Sequence, residues 1–393
     1  MHSKPQPGFS RLSGIYVHLP FCRSICPFCG FPVLRDRQDK RERYLDYLEK
    51  ELDVLDRTFR FDSRKLRSVY FGGGTPSRFD SDQLNRIIEL IAGRFAPSSE
   101  TQWSIEINPE DVTRPFAETL RHIGFNRVSI GIQSFDQNSL ERLGRLHSAA
   151  QAHNAIELLQ RAGFRNINLD LLFGYPGQSL NGFQKDLDRL VRYAPTHVSV
   201  YCLGIEPKTK INRLNSWKQW QERNENLVST MYRFAVQYLE KHGIIQYEVS
   251  NFAQSGYEST QNAIYWNGEN YLGLGLGAHS HIDSVRWGNL RRWFEYRDSI
   301  DLDRLPRSFT EILGDAEKRE ERLMIQLRLR SGVDVEDYFD SFGIDLLKVC
   351  EEEIQLLRTS GHIETMRNRL RLTPKGMLLT DEITAGFAGR LSD

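Results

Sequence analysis

Three cysteines lie within eight consecutive residues, in a chain that holds five cysteines in all. Cys22, Cys26 and Cys29 follow a short apolar run in the segment GIYVHLPFCRSICPFCGF. Thiolates at this CxxxCxxC spacing can converge on one inorganic centre from a single loop. Zinc usually needs a fourth Cys or His nearby, and none follows, whereas three thiolates on a four-iron cluster leave one iron open to a small molecule. The spacing favours a cluster, with a zinc site and buried structural thiols as alternatives.

The overall composition limits what else the protein can bind. Lys+Arg and Asp+Glu both number 52 in 393 residues, so the zero net charge gives no global attraction for nucleic acid or an anionic membrane. No apolar run approaches the roughly 20 residues of a membrane helix, and the start MHSKPQPGFSRLSG lacks the apolar core of a signal peptide. The low, odd cysteine count argues against a disulfide framework. We therefore expect a cytoplasmic protein with reduced thiols, no membrane span and no nucleic-acid partner.

Apolar, β-rich runs alternate with amphipathic helical patterns along the first half of the chain. The expected strands are Ile15–Leu19, Val69–Phe71, Trp103–Asn108, Arg127–Gln133, Asn166–Phe173 and His197–Leu203. The expected helices are Lys40–Phe59, Ser81–Phe95, Arg114–Ile123, Ala149–Ala162 and Leu180–Tyr193. This alternation predicts an α/β fold with a parallel sheet. Because no GxGxxG follows the first strand, we expect a partial (β/α)6 TIM-type barrel, with the cysteine loop at its C-terminal mouth.

The remaining sequence suggests a division into four parts. These are a polar leader (1-13), the barrel (14-245), an irregular extension rich in Gly and aromatic residues that closes the active site (246-300), and a C-terminal helical, winged-helix-like domain (301-393). The ending GHIETMRNRLRLTPKGMLLTDEI predicts a helix, two short strands around a basic turn, and a helix. A winged helix suggests DNA binding, but the chain has no basic excess, and we favour a structural or partner-docking role.

A series of ordered motifs carries a family resemblance. With Phe28 directly before its third cysteine, the loop resembles the cluster motif of radical S-adenosylmethionine (SAM) enzymes. The resemblance extends from about Gly14 to Ser280 through YVHLPFC, YFGGGTPS, SIEINPE, FNRVSIGIQSF, LGRLHS, NLDLLFGYPGQS, YEVSNFAQSGYE and YLGLGLGAHS. Together these motifs are similar to the branch that contains oxygen-independent coproporphyrinogen III oxidase, the heme chaperone HemW and the HemN-like (class C) methyltransferases.

The resemblance implies a [4Fe-4S] cluster, one SAM bound to its open iron, and a second SAM. The catalytic and metal-ligating residues would be Cys22, Cys26 and Cys29, and an electron donor such as flavodoxin or ferredoxin would reduce the cluster. Contacts with the cluster-bound SAM carry over to Tyr16, Gly73 and Glu106. Contacts with the second SAM carry over to Phe28, Gly74, Thr75, Gln133, Arg145, Asp170 and Gly204.

The residue types suit these roles, although each has a plainer explanation. A glycine triplet lets the backbone approach a ligand closely, but it is also a common tight turn. Glu106 and Asp170 end apolar strands, where a buried carboxylate needs a partner. That partner is either a ligand hydroxyl or ammonium or the neighbouring backbone. Arg145 has the alternative of being a solvated helix residue.

Two departures from the family patterns bear on the branch. Coproporphyrinogen oxidases carry a further cysteine just after the third cluster ligand, whereas this chain has Gly30 and then Phe31, which disfavours that activity. HemW proteins usually have an aspartate directly after the last cluster cysteine and an HNxxY motif implicated in heme binding. Here Gly30 occupies the first place, and QNAIY, with Gln261, Asn262 and Tyr265, occupies the second. Gln261 cannot supply the imidazole that commonly ligates heme iron.

From these departures we favour a class C methyltransferase. It would use the radical to methylate an sp2 carbon of an aromatic or unsaturated small molecule, for example a quinone. The alternative is a HemW-like heme chaperone with heme, a tetrapyrrole, as its ligand. A third possibility is a non-enzymatic, metal-stapled winged-helix regulator. The two remaining cysteines, Cys202 and Cys350, are expected to be small core residues.

Overall fold

The computed structural model describes residues 10–62, 66–207 and 209–391, so most of the predicted polar leader lies outside the described residues. The strands are β1 (Ser10–Arg11), β2 (Gly14–Leu19), β3 (Phe21–Cys22), β4 (Leu34–Arg35), β5 (Phe61–Asp62), β6 (Ser68–Gly73), β7 (Gln102–Ile107), β8 (Arg127–Gln133), β9 (Asn166–Phe173), β10 (His197–Cys202), β11 (Ile245–Gln246), β12 (Asn251–Ala253), β13 (Tyr271–Leu274), β14 (His279–Ile282), β15 (Val285–Asn289), β16 (Arg307–Ile312), β17 (Val333–Asp334), β18 (Ile363–Met366) and β19 (Arg369–Leu372).

The helices complete the fold. They are α1 (Gln38–Thr58), α2 (Ser81–Phe95), α3 (Arg114–His122), α4 (Gln137–Arg142), α5 (Ala149–Arg161), α6 (Leu180–Val191), α7 (Asn215–Arg223), α8 (Glu225–Lys241), α9 (Thr260–Trp266), α10 (Trp293–Asp301), α11 (Asp315–Gln326), α12 (Val335–Phe342), α13 (Leu346–Val349), α14 (Glu351–Thr359), α15 (Pro374–Met377) and α16 (Thr380–Leu391). No helix in the described part of the chain is long and apolar enough to cross a membrane.

The predicted alternation of strands and helices is confirmed. β2, β6, β7, β8, β9 and β10 coincide with the six expected strands, and α1, α2, α3, α5 and α6 with the five expected helices. Helix starts carry the side chains that cap free backbone N–H groups: Asp80 with Gln83 and Ser148 with Gln151 form reciprocal capping boxes. The fold is a mixed α/β fold of the partial (β/α)6 barrel type with a helical C-terminal region.

The chain divides into two compact units, of which the first holds residues up to Asn168, Glu206–Ile211 and Glu269–Ile312. In this unit the strand order is β8-β7-β6-β2-β13-β14-β15-β16. Along this order, each pair of neighbours from β8 through β7, β6 and β2 to β13 is parallel. Each pair from β13 through β14 and β15 to β16 is antiparallel. Parallel strands end at one edge of the sheet, so the segments after β2, β6, β7 and β8 lie together there.

The extension expected to be irregular, 246-300, instead contains strands β12 to β15, helix α9 and most of helix α10. These strands are three to five residues long, too short for a recognisable alternation of apolar and polar residues. Glycine also obscures them: β13 pairs with β2 through Gly273, and a Cβ on this glycine would overlap the backbone of His279. The glycine that weakens the strand signal is therefore needed for the β13–β14 turn to close.

The second unit contains Leu169–Ile205, Asn212–Gly268 and Leu313–Asp393. Its strands follow the order β11-β12-β10-β9, and β17-β19-β18 form a separate small sheet. The two strands predicted around a basic turn near the C-terminus are β18 and β19, and β17 adds a third that the sequence did not reveal. The division of the chain into four consecutive parts stays a prediction.

Candidate functional site

The cysteine loop is fixed at both of its ends. Cys22 ends β3, which pairs in parallel with β4 beyond the loop. The N–H of Asp36 donates to the Cys22 carbonyl at 3.0 Å, and inside the loop the N–H of Cys29 donates to the Cys26 carbonyl at 3.1 Å. All three cysteines are free thiols. The loop therefore presents its sulfur atoms from a backbone that is already ordered.

The thiols are shielded from solvent. Burial raises the pKa of the Cys22 thiol to about 11 and also raises the pKa of Cys29, and mutual repulsion among the three sulfur groups adds to both shifts. Iron must therefore displace protons as it binds. Among the described residues, no three His, Cys, Asp or Glu side chains are placed to hold a metal ion. The three thiolates of a four-iron cluster bind three different iron atoms, and this donor set fits such a cluster.

The glycine triplet at the end of β6 is required by the packing of the backbone around it. Gly73 has φ +110°, and a Cβ there would overlap the ring of His18. A Cβ on Gly74 would lie 2.5 Å from the carbonyl carbon of Pro20. The N–H of Gly74 donates to the Leu19 carbonyl at 3.0 Å, which joins the triplet to the end of β2. These glycines allow close packing of the two strand ends, in addition to any ligand they face.

Tyr16, Gly73 and Glu106, expected to contact the cluster-bound SAM, lie together in the first unit. The ring of Tyr16 stacks on Tyr70 with ring centroids 6.1 Å apart. Glu106 accepts hydrogen bonds from the Tyr70 hydroxyl at 2.8 Å and from the Gly73 N–H at 3.1 Å. Neighbouring groups thus satisfy the hydrogen bonds of the carboxylate, which agrees with the explanation that needs no ligand. Its assignment to SAM stays a prediction.

A chain of hydrogen bonds connects two of the three loop cysteines, Cys22 and Cys26. The Thr75 hydroxyl donates to Cys22 Sγ at 3.4 Å, and Asn108 Nδ2 donates to Thr75 Oγ1 at 3.3 Å. Arg145 donates through Nη2 to Asn108 Oδ1 at 2.7 Å and through Nη1 to Cys26 Sγ at 3.4 Å. Arg145 is therefore not a solvated helix residue, because it is half-buried and bound to the cysteine loop.

Gln133 is held in an unusual backbone conformation at the end of β8. Its φ is +61°, a left-handed value that a residue other than glycine rarely adopts and that is often found at functional sites. Its side chain and that of Arg145 both approach the space above Gly131. Gln133 Oε1 and Arg145 Nε are buried without a hydrogen-bond partner within residues 10–62, 66–207 and 209–391. An unpaired acceptor beside an unpaired donor fits the polar groups of a bound SAM.

The other residues expected at the second SAM are spread over both units. Phe28 is half-buried in the cysteine loop of the first unit. Asp170 is half-buried in β9 and Gly204 is exposed after β10, and both belong to the second unit. Their roles stay predictions.

The QNAIY segment forms helix α9 in the second unit. Gln261 is 1% exposed, and neither its Oε1 nor its Nε2 has a hydrogen-bond partner among the described residues. Asn262 Nδ2 contacts the hydroxyl of Tyr247 at 3.5 Å. In the first unit, Gly30 is exposed and its carbonyl accepts from Arg291 Nη2 at 2.7 Å. Residue 261 thus faces the protein interior, where an amide with no partner is costly.

A cavity of about 480 Å³ borders α9 in the second unit. It is lined by Gln246, Tyr247, Glu258, Ala263, Trp266, Asn267, Leu329, Arg330, Ser331 and Arg371. Trp266 Nε1 and Arg330 Nη1 are buried donors without a partner in the described part of the chain. Its volume lies within the range typical of small-molecule sites.

The two cysteines outside the loop differ from each other. Cys350 is fully buried, as expected of a small core residue. Cys202 is free and exposed at the end of β10, so the expectation that it is a core residue is wrong. The strand leaves the core before its last two residues, Tyr201 and Cys202, a boundary that the apolar run HVSVYCL conceals.

Two site residues, His18 and Asn108, were missed by reasoning from the sequence. Each lies two residues after an assigned residue, Tyr16 and Glu106 respectively. Because side chains alternate along a strand, each must share a face with that residue. This spacing was the available signal.

Comparison with known proteins places these features in context. A family model described as the Radical SAM superfamily matches residues 16–226, and one described as the HemN C-terminal domain matches residues 313–379. The chain is similar to the heme chaperone HemW of Bacillus subtilis, with 32% identity over 97% of this chain and 100% of that protein. It is also similar to the heme chaperone HemW of Lactococcus lactis, with 31% identity over 95% of this chain and 96% of that protein.

A solved structure shows the same fold. The coproporphyrinogen III oxidase (HemN) from Escherichia coli, described as a radical SAM enzyme, superimposes with a TM-score of 0.83 over 97% of this chain and 90% of that chain. The two sequences are 22% identical. At this identity the likeness concerns the fold, including the partial barrel and the helical C-terminal region.

Proposed function

This chain belongs to the radical SAM superfamily and, within it, to the HemN/HemW family, and we propose that it acts as a heme chaperone of the HemW type. The observation that carries the proposal is that relatives named HemW match almost the whole chain, including both the barrel and the C-terminal region. The methyltransferase activity favoured from the sequence has no such support. A cytoplasmic location, expected from the reduced cysteines, is part of the proposal.

The proposal includes a [4Fe-4S] cluster on Cys22, Cys26 and Cys29, and SAM. When bound, the cluster would supply the one electron that breaks the sulfonium bond of SAM into methionine and the 5'-deoxyadenosyl radical. The protein's own groups position and shield these partners. The ordered loop presents the thiolates, Glu106 offers a fixed carboxylate near Gly73, and Gln133 and Arg145 supply unpaired polar atoms. An external electron donor of the flavodoxin or ferredoxin class completes the set.

The QNAIY segment is poorly suited to bind heme iron. Residue 261 is an amide rather than an imidazole, and it is buried, so this position does not supply an axial nitrogen ligand. We therefore assign heme binding to other groups. In the second unit, the cavity beside α9 combines the flat ring of Trp266 with Arg330, whose Nη2 donates to Glu240 and whose buried Nη1 has no partner among the described residues. A flat ring beside a free donor suits an aromatic macrocycle with carboxylates.

The experiment uses the full-length protein, reconstituted anaerobically with iron and sulfide and titrated with hemin. We expect saturable hemin binding, and we expect Arg330→Gln to weaken it. Cleavage of SAM in the presence of reductant should be lost in Cys26→Ala. If hemin does not bind saturably, the heme chaperone role is wrong, and if Cys26→Ala still cleaves SAM, the cluster assignment is wrong.

Methyl transfer is the second candidate because Gly30 and Gln261 both depart from the HemW pattern. It predicts S-adenosylhomocysteine together with 5'-deoxyadenosine when an aromatic acceptor such as a quinone is added. Absence of S-adenosylhomocysteine in reactions that do produce 5'-deoxyadenosine would argue against it for the acceptors tested.

Replacing Gln261 with the histidine of the HNxxY motif tests whether position 261 can ligate heme. Gln261→His should give a heme spectrum typical of nitrogen ligation if heme reaches α9. Gln237→His, an exposed change on α8 in the same unit, is the matched control and should leave the heme spectrum unchanged. An unchanged spectrum in both variants would show that residue 261 does not reach the heme iron.

A further inference from the structure

We propose that Asn108 is a positioning residue that aligns the hydrogen-bond donors of two cluster thiolates and thereby raises the reduction potential of the cluster. This inference rests on the proposed cluster at Cys22, Cys26 and Cys29. It concerns a residue to which the family resemblance assigned no role. Through these donors, Asn108 tunes the electron transfer on which SAM cleavage depends.

Asn108 is the central link between the two donors. Its Nδ2 donates to Thr75 Oγ1 at 3.3 Å, and its Oδ1 accepts from Arg145 Nη2 at 2.7 Å. Thr75 in turn donates to Cys22 Sγ, and Arg145 to Cys26 Sγ, both at 3.4 Å. One amide therefore contacts both side chains that reach the sulfur atoms.

The direction of the hydrogen bonds gives Asn108 its effect. Because Thr75 Oγ1 accepts from the Asn108 amide, its single proton is left to point at Cys22. Because Asn108 Oδ1 accepts from one nitrogen of Arg145, the guanidinium is oriented so that another nitrogen reaches Cys26. The Thr75 hydroxyl is polarised by the bond that it accepts from Asn108, and such chains strengthen one another at low local dielectric. For Arg145 the bond to Asn108 acts by orientation. An aspartate or leucine at position 108 cannot donate to Thr75.

The surroundings hold Asn108 in place. Its backbone N–H donates to Ser77 Oγ at 3.2 Å, and the Ser77 hydroxyl donates to Asp111 at 2.9 Å. Thr75 is 4% exposed. Arg145 is further held by the carbonyl of Gly131 at 3.2 Å. The donors are therefore ordered before a cluster binds, which is the requirement for groups that orient toward a metal centre.

Hydrogen bonds to thiolate sulfur withdraw electron density and are among the main determinants of cluster potential. Loss of one such bond makes the reduced, more negative cluster less stable relative to the oxidised one. We expect Asn108→Asp to lower the equilibrium constant for one-electron reduction by about tenfold, which is about 59 mV. The added negative charge acts in the same direction.

The test is a redox titration of the reconstituted full-length protein, followed by EPR spectroscopy in the absence of SAM. Iron content is measured in each variant so that only fully loaded protein is compared. The matched control is Asn138→Asp, the same chemical change at an exposed position of α4. Asn108→Asp and Asn108→Leu should both lower the potential, and the control should not.

Thr75→Val serves if the Asn108 variants do not fold. It removes the hydroxyl with little change of shape, and the expected result is a lower potential, which Thr75→Ser restores. Combined with Asn108→Asp, Thr75→Val should lower the potential by less than the two separate shifts together, because both act on the Cys22 bond. Unchanged potentials in loaded variants would overturn the role of Asn108 while leaving the cluster intact. Failure of the unaltered chain to bind a cluster would instead overturn the proposed function.

Discussion

At the scale of single residues, His18 connects the cysteine loop to the glycine triplet. Its Nε2 lies 2.9 Å from the Pro32 carbonyl, three residues after Cys29, and its Nδ1 lies 3.1 Å from the Tyr16 hydroxyl. Burial lowers the pKa of His18 to about 4, so the ring is neutral near pH 7. A carbonyl only accepts, which places the ring proton on Nε2 and leaves Nδ1 to accept from Tyr16.

This arrangement predicts the effect of removing the ring. His18→Ala takes away the donor to Pro32 and leaves a void under Gly73, so the end of the cysteine loop should become mobile. We expect reconstituted His18→Ala to hold less iron and to bind SAM more weakly. His18→Gln, which can still donate to the Pro32 carbonyl, should recover part of both. Iron analysis and SAM binding by equilibrium dialysis measure the two effects, and normal iron content in His18→Ala would contradict this role.

A second residue-scale prediction concerns Gly73. Alanine is unfavourable at this position for two reasons: the φ of Gly73 is positive, and a Cβ there would overlap the His18 ring. We expect Gly73→Ala to destabilise the protein by about 1–3 kcal/mol from backbone strain alone. Gly93→Ala is the control, because this exposed position in α2 has no atom within 4 Å of a new Cβ. There alanine should stabilise the helix by about 0.8–1 kcal/mol, measured by urea unfolding, and equal effects at the two positions would refute the argument.

The sequence revealed the chemistry of the site more readily than its connections. The cysteines, the glycine triplet and Glu106 stand out because their types are unusual at the end of an apolar strand. His18 and Asn108 do not stand out, because their importance depends on partners from other strands and loops. The left-handed φ of Gln133 likewise arises from packing at the end of β8 and leaves no mark in the sequence.

At the scale of elements, α1 is anchored to the β13–β15 region by a buried carboxylate. Glu51 is 1% exposed and accepts hydrogen bonds from the Gly275 N–H, the Tyr296 hydroxyl and Asn289 Nδ2 at 2.8, 2.6 and 2.6 Å. Tyr44, about two turns before Glu51 on the same face of α1, donates to the His18 carbonyl at 2.8 Å. Helix α1 therefore holds both the strand that precedes the cysteine loop and the glycine-rich turn after β13.

Glu51 makes the stability of the protein depend on pH. Burial raises its pKa from 4.5 to about 7, so the folded state binds this proton more tightly than the unfolded state. The contribution of Glu51 to stability should therefore fall as pH rises from about 4.5 to about 7 and then level off, while His18, whose pKa is lowered from 6.5 to about 4, makes a contribution that rises with pH over that range. Glu51→Gln should remove this contribution, at a cost of about 1–3 kcal/mol because the new amide N–H group meets donors. Urea unfolding at several pH values measures both effects.

The matched control for Glu51 is Glu248 in the second unit. It is also buried, and burial raises its pKa to about 7 as well. Glu248→Gln should remove a separate pH-dependent share of the same sign, so the double variant should change the slope between pH 4.5 and 7 by the sum of the two single changes. A slope unchanged in Glu51→Gln would show that this carboxylate titrates normally.

The sequence predicted elements with a long, regular pattern and the short β18–β19 pair, but it missed strands β13 to β16. The six barrel strands and five helices follow from repeated apolar periodicity, which depends on local sequence. Strand β13 depends on pairing with a distant segment, Tyr271 with Gly14, whereas β14 to β16 are short strands that pair with their neighbours along the chain. Their glycines lower the local β signal while making the pairing possible, so a local pattern could not reveal them.

At the scale of the whole molecule, each unit is assembled from segments far apart in the chain. The second unit joins part of the barrel sequence to the last eighty or so residues. Met377, in α15, is 3% exposed, and its Sδ lies 3.8 Å from the hydroxyl of Tyr232 in α8, which is 145 positions away along the chain. Such contacts explain why a division into consecutive domains is difficult to predict from sequence.

This contact provides a test of how independently the units unfold. Met377→Ala removes a buried side chain and should cost about 2–5 kcal/mol, whereas Met366→Ala, at a 49% exposed position, should cost within about 0.5 kcal/mol. If the second unit opens as its own cooperative block, hydrogen exchange should accelerate in α8 and leave α1 of the first unit protected. Amide exchange followed by mass spectrometry distinguishes the cases. If amide protection falls equally in α1 and α8, the two units unfold together, because destabilisation of the second unit reaches α1 only through a shared cooperative transition.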